Sequence, residues 1–274
     1  MKRILVPTDF SQHAEYAIKV ASQIAKKNNC EVFLLNLLDL PTHMNDAVNS
    51  GVNIPEVMLY LKKTNERLEE LKDESYFDGL TATAEARTER ALEGLVTHSK
   101  EHNVDLLVMG SHGSSGFHEM FIGSNTEKVV RASDIPVLVI KNEINEFKAE
   151  NFVFASDFSG EIKKPFQKLV DFANLFDANL NLVMINTPNS FKTTITAEKI
   201  MSDFIKNFNV NRHSLNIYND ANIEKGIINY SNSVDADLIG MCTHGRTGLA
   251  HFFNGSISED IVNHAVRPVI TFKI

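Results

Sequence analysis

The chain repeats itself, and this limits it to two copies of one folding unit. Gly94 faces Gly226, Asp105 faces Asp237, Met109 faces Met241, His112 faces His244, Ser124 faces Ser256 and Pro136 faces Pro268, each pair 132 residues apart with no gap. A constant offset over so long a stretch marks duplication, where a single shared motif would not. Near the amino end of each copy, Asp9-Phe10-Ser11 faces Asp157-Phe158-Ser159 at an offset of 148, and Asn36 faces Asn186 at 150. The change of offset predicts a shortening of roughly 18 residues in the second copy, between its second strand and the following helix. The expected domains are residues 1–147 and 148–274, each long enough to bury a core.

Each copy opens on a short apolar run that ends in a polar turn, Ile4 to Asp9 and Phe152 to Asp157. These read as buried strands leading into helices, with Ser11 or Ser159 as cap. In the first helix Ala14, Ala17, Ile18, Ala21, Ile24 and Ala25 recur at three- and four-residue spacing, an apolar stripe that packs on a sheet. Second strands follow at 32–38 and 180–186, and weaker third strands at 81–86 and 214–218. Asp105-Leu106-Leu107-Val108-Met109 and Asp237-Leu238-Ile239-Gly240-Met241 are nearly continuous apolar runs, as in strands covered on both faces. Helices are expected at 55–75, 90–102 and 124–133, and at 197–208, 222–233 and 256–265 in the second copy; final strands start at Pro136 and Pro268. Strand and helix alternate throughout, so the fold class is α/β, two repeated doubly wound domains with parallel sheets flanked by helices.

The net charge of −8 is uneven: 15 Lys+Arg stand against 22 Asp+Glu in residues 1–147, and 12 against 13 in the rest. Neither half has the clustered positive charge that binding a nucleic acid requires. No segment approaches the ~18–20 unbroken apolar residues of a membrane span, and the amino-terminal apolar run is too short for a secretory signal. Cys30 and Cys242 occupy unmatched positions of the repeat, which suits a reducing compartment and a cytoplasmic location.

Ligands of doubly wound sheets settle beyond the carboxyl ends of the strands, where strand order reverses. Asp9 follows the first strand and Gly110 the fourth. Gly110, Gly113 and Gly123-Ser124 are spaced like a phosphate loop that opens a helix, whose unpaired amides and positive dipole end attract phosphate. An aspartate fits poorly against phosphate without a metal, so Asp9 belongs at a ribose hydroxyl or the base. The second copy reads Cys242, Gly245 and Gly255-Ser256, with Cys242 in place of the first glycine.

Thr8-Asp9-Phe10-Ser11, Met109-Gly110-Ser111-His112-Gly113, Gly123-Ser124 and Ile135-Pro136-Val137-Leu138-Val139 closely resemble the universal stress protein family. The second half repeats the pattern with Ser156-Asp157-Phe158-Ser159, Thr243 to Gly248, Gly255-Ser256 and Arg267-Pro268-Val269, so the chain looks like a tandem member. The resemblance implies a five-stranded parallel sheet per domain, of the Rossmann-like, adenine nucleotide alpha hydrolase-like type. It also implies that the final strands pair antiparallel, an intramolecular pseudo-dimer that leaves further homodimerisation open. Members divide into those that bind ATP or AMP and those that bind no nucleotide, and an intact glycine loop marks the first kind. Carried over by position, the nucleotide contacts of the first half are Asp9, the backbone of Leu37, Gly110, His112, Gly113, Gly123, Ser124 and Asn125. Those of the second are Asp157, Thr187, Cys242, His244, Gly245, Arg246, Gly255 and Ser256. The first half has its glycines but no arginine, the second has Arg246 but carries Cys242, and the first is the expected site.

The implied function is a stress-response regulator that holds ATP or AMP, magnesium included or not, and acts on a protein partner through its bound state. Two alternatives stay open: a nucleotide-free interaction scaffold and a weak ATPase. No catalytic residue is assigned, since neither loop contains the lysine of a phosphoryl-transfer loop and no Gly-x-Ser-x-Gly elbow follows a strand. His112 and His244 lack companions at zinc-like spacing and read as structural, so no metal is expected. Asp9, Asp157, Ser124 and Ser256 each have a second reading as helix caps.

Overall fold

The computed structural model describes residues 1–40, 54–112, 123–243 and 256–274. Its described residues form two compact units, one from 1–40, 54–112, 123–129 and 140–147, the other from 130–139, 148–243 and 256–274. The second unit therefore takes in a stretch from the amino side of the expected 147/148 boundary.

In the first unit β1 (Arg3–Pro7), β2 (Glu31–Leu37), β3 (Ala82–Arg87) and β4 (Leu106–Gly110) are joined in the order β3-β2-β1-β4, all parallel. The crossovers are α1 (Gln12–Asn28), α2 (Pro55–Lys72) and α3 (Ala91–Glu101), and α4 (Ser124–Ala132) follows β4. Helix α1 buries the expected stripe of Ala14, Ala17, Ile18, Ala21, Ile24 and Ala25. Ser11 Oγ accepts the Ala14 N–H at 3.3 Å, a cap that contributes about 1 kcal/mol. The helix ends at Asn29, whose φ of 51° is the left-handed conformation that closes a helix.

The second unit joins β6 (Asn151–Ala155), β7 (Asn179–Asn186), β8 (Arg212–Asn219), β9 (Leu238–Thr243) and β10 (Val269–Lys273) in the order β10-β9-β6-β7-β8. Its helices are α5 (Lys163–Leu175), α6 (Thr194–Ile205), α7 (Ile223–Ser233) and α8 (Ser256–His264). Against β10 lies β5 (Val137–Ile140), antiparallel, with Val139, Leu138 and Val137 opposite Val269, Ile270 and Thr271. Lys273 secures the start of this segment through Asp134 Oδ1 at 2.8 Å and the Ala132 carbonyl at 3.1 Å. The core of this unit is aromatic: Phe166, fully buried, touches the rings of Phe154, Phe204 and Phe208.

The register of the second strands differs from the expected one. Pro7 stands opposite Leu35 and Ala155 opposite Val183, so the offset of 148 runs through β2 and β7. Asn36 therefore corresponds to Met184 and Leu37 to Ile185, and neither Asn186 nor Thr187 is their counterpart. Matching the two asparagines by letter slipped the alignment by two residues, a shift that preserves sheet face and so leaves no mark on the hydrophobic pattern.

Candidate functional site

Strand order reverses between β1 and β4 in the first unit and between β6 and β9 in the second, which puts the turns after β1 and β6 at the two crevices. Both turns are built alike. Thr8 Oγ1 accepts the Phe10 N–H at 3.1 Å and Asp9 Oδ1 the Ser11 N–H at 3.0 Å. Ser156 Oγ and Asp157 Oδ1 accept from Phe158 and Ser159, each at 3.0 Å. These bonds hold Phe10 and Phe158 at φ of 63° and 56°, a left-handed conformation that costs a bulky residue about 1–3 kcal/mol. Asp9 thus braces a turn, while the cap of α1 is Ser11. The guanidinium of Arg67 lies 4.1 Å over the Phe10 ring and packs the turn from outside.

A cavity of about 280 Å³ opens beside the first turn, near the lower end of small-ligand sites. Of the expected residues Asp9, Leu37, Gly110, His112, Gly123, Ser124 and Asn125 all line it. Gly113 lies outside the described residues. Leu35, Leu37, Ala91 and Leu95 give the cavity an apolar wall, and the start of α4 forms its polar side. There Gly123 N–H donates to the Ser111 carbonyl at 2.8 Å, and Thr126 Oγ1 donates to the Gly110 carbonyl at 3.0 Å. The following amides are those a helix start leaves without intrahelical acceptors.

Gly110 has a reason that the sequence did not disclose. A Cβ there would sit 2.6 Å from the carbonyl oxygen of His13, so the first turn of α1 requires the glycine whatever binds nearby. His13 itself escaped the sequence reading. Its ring lies 5.1 Å from that of His112, and burial first, then His112, hold its pKa below the usual histidine value, with Asp9 opposing. His112 Nδ1 meets Ser111 Oγ at 2.9 Å, while its buried Nε2 has no hydrogen-bond partner among the described residues.

The second unit has its own cavity, about 300 Å³, lined by Asp157, Ser156, Ile185, Ile223, Ile227 and Met241 among others. Ile185 holds the place of Leu37: a Cβ on Gly94 would meet the Leu37 side chain at 2.9 Å, and one on Gly226 would meet Ile185 at 2.5 Å. Thr187 instead starts a tight turn bridged to Ser190. Asn186 clamps that turn, its side chain exchanging bonds of 3.0 and 3.1 Å with the Lys192 backbone, and so Ser190 and Lys192 reach the cavity. Lys192 is a cation that sequence reasoning missed; the asparagine after an apolar strand, followed by Thr187-Pro188-Asn189, was its available signal. Cys242 does not close the cavity. Burial, then the Asp157 carboxylate, push its pKa up, so it stays a neutral thiol. His244, Gly245, Arg246 and Gly255 lie outside the described residues, and Ser256 opens α8.

The comparisons agree with the repeat. The model of the universal stress protein family matches residues 1–141 and again 219–273. A universal stress protein of Methanocaldococcus jannaschii is 32% identical over 162 residues, covering 52% of this chain and 96% of its own. One of Synechocystis is 24% identical over 299 residues and spans all of both chains. The solved structure of a universal stress protein from Archaeoglobus fulgidus superposes with a TM-score of 0.74 at 20% identity, over 99% of this chain and 98% of that one, and so shares the fold. Since the family model covers well over half of the sequence and enters it twice, the chain belongs to the universal stress protein family.

Proposed function

We propose that this stress-response protein binds an adenine nucleotide, ATP or AMP, in the cavity of the first unit and regulates a protein partner through that bound state. The observation that carries the reading is that Asp9, Leu37 and the first residues of α4 line a single cavity at the strand-order reversal. On this reading the base lies along the apolar wall of Leu35, Leu37 and Leu95, Asp9 accepts from a ribose hydroxyl, and the amides at Ser124 and Asn125 face phosphate. Magnesium accompanies the triphosphate. The second cavity is the weaker site: it keeps Asp157 and supplies Lys192, but Ile223 and Ile227 stand where the first unit has Ala91 and Leu95.

Calorimetry with ATP and with AMP, each with and without magnesium, is the test. Asp9→Asn, which keeps an acceptor oxygen for the turn, should weaken binding by about 10- to 100-fold, the effect of losing a charged hydrogen-bond partner. Asp157→Asn should leave the stronger isotherm unchanged. No heat at millimolar nucleotide would refute the proposal for both units. Gly123→Val separates this reading from a scaffold, because it should abolish nucleotide affinity in a folded protein while a scaffold would keep its partner. Product formation that persists in both Asp9→Asn and Gly123→Val comes from a contaminant and not from this site.

A further inference from the structure

Outside the two cavities, α3 carries a concentrated set of metal-type ligands. His98 lies in its last turns and His102 is its C-terminal cap, four residues on, the spacing that brings side chains onto one helix face. Their rings stack with centroids 5.9 Å apart and planes 21° apart. Glu85, from β3, joins them: one ligand atom from each of the three residues lies within 4.8 Å of the others. A tetrahedral zinc ion with bonds of about 2.0–2.1 Å keeps its ligand atoms roughly 3.3 Å apart, so the set closes by side-chain rotation, with Glu85 Oε1 leaving its ion-pair partner Arg87.

A second, independent observation points the same way. His98 is only 4% exposed, and its Nδ1 is a buried atom with no hydrogen bond. Its Nε2 lies 3.3 Å from Glu89 Oε1, a carboxylate placed to accept from that nitrogen, which is the arrangement that frees Nδ1 as a ligand. Nδ1 lies 3.5 Å from Oε2 of Glu101, an exposed carboxylate. A carboxylate that receives one imidazole N–H while the other nitrogen binds an ion is the usual support of a histidine ligand.

We propose that Glu85, His98 and His102 bind a divalent transition metal of the zinc type, with Glu101 or water completing the shell and Glu89 orienting His98. The second unit supplies an internal contrast. At the corresponding positions it has Asn216, Tyr230 and Val234, and this trio has neither imidazole nor carboxylate. The site is therefore a property of the first unit, and its test needs no nucleotide.

The experiment uses the full-length, untagged chain, stripped with chelator and titrated with Co²⁺ and then Zn²⁺. The expected result is one equivalent of Co²⁺ with the visible absorption of a four-coordinate ion, bleached by Zn²⁺, and a rise in Tm on Zn²⁺ addition. His102→Ala and Glu85→Gln should each weaken Co²⁺ binding tenfold or more, a loss on the scale of removing a metal-site group. Circular dichroism confirms that each variant is folded; Glu85→Gln, isosteric and at a half-buried position, covers the case in which His102→Ala is not. Absence of the cobalt band, or binding that both variants leave intact, would overturn the proposal; in the latter case the ion sits elsewhere.

Discussion

Ile4 and Val108 in the first unit stand where the second has Phe152 and Gly240. All four are buried, and a Cβ on Gly240 would lie 2.7 Å from the Phe152 ring, so volume removed from one strand is filled from its neighbour. A second exchange occurs at the crevice. The first unit enters α1 directly after Ser11 and brings the His13 backbone against Gly110, whereas the second interposes a 3-10 turn, Gly160–Ile162, before α5 and accommodates Cys242. The pair Leu37 and Gly94, by contrast, is kept as Ile185 and Gly226, with no change in bulk. The repeat keeps close approaches between elements and lets the residues that make them trade bulk. A lost glycine in a loop motif is thus a statement about the neighbouring helix before it is one about a ligand.

The sharpest way to break this account is to reverse one exchange alone. Gly240→Val should destabilise the protein by about 3 kcal/mol, the upper range for overpacking a closed core. Phe152→Ile in the same chain should recover most of it, because contacting residues couple. Denaturant unfolding of the double-mutant cycle reads the coupling, and additive losses would mean the two positions do not share space. Next in size is Gly110→Ala, which drives a methyl into a main-chain oxygen and should cost about 2 kcal/mol. Its converse, Cys242→Gly, removes bulk without a clash and should lower stability by less. Equal costs would sink the claim that the entry into α1 is what demands glycine.

A pH-dependent contrast concerns the lysine at or just after the last strand of each copy. Burial pushes the pKa of Lys141 down to about 8, so its charged form is disfavoured in the folded state. That penalty is full below about pH 8 and fades as pH rises toward the usual lysine value near 10.5. Lys141→Met should therefore raise Tm at pH 7, with the advantage gone in alkaline buffer. Its counterpart Lys273 is tied to Asp134, and Lys273→Met should lower Tm slightly at pH 7, since such exposed pairs contribute at most about 1 kcal/mol. Melting curves against pH distinguish the two signs.

The alternation of strands and helices was legible because each element carried its own period: the stripe of α1 and the apolar runs of β4 and β9 are local signals. The turn at Asp9 and the start of α4 at Gly123 were legible for the same reason, through residue types with few uses. What the sequence hid was contact between distant elements. His13 meeting Gly110 and the volume exchanged between Phe152 and Gly240 depend on packing that no spacing records. Lys192 escaped because a short turn folds it back, and the cluster of His98 and His102 because Glu85 joins the two helix residues from a strand.

The pairing of β5 with β10 bears on any attempt to study the halves apart. A chain severed at the boundary between residues 147 and 148 would strip β10 of its antiparallel neighbour and leave Val269, Ile270 and Thr271 as an open apolar edge, the kind of surface that recruits foreign strands. The carboxyl-terminal fragment alone would then be insoluble or self-associated. Covalent tandem linkage is, in this sense, a chaperone built into the primary structure, keeping each edge strand's mate always at hand.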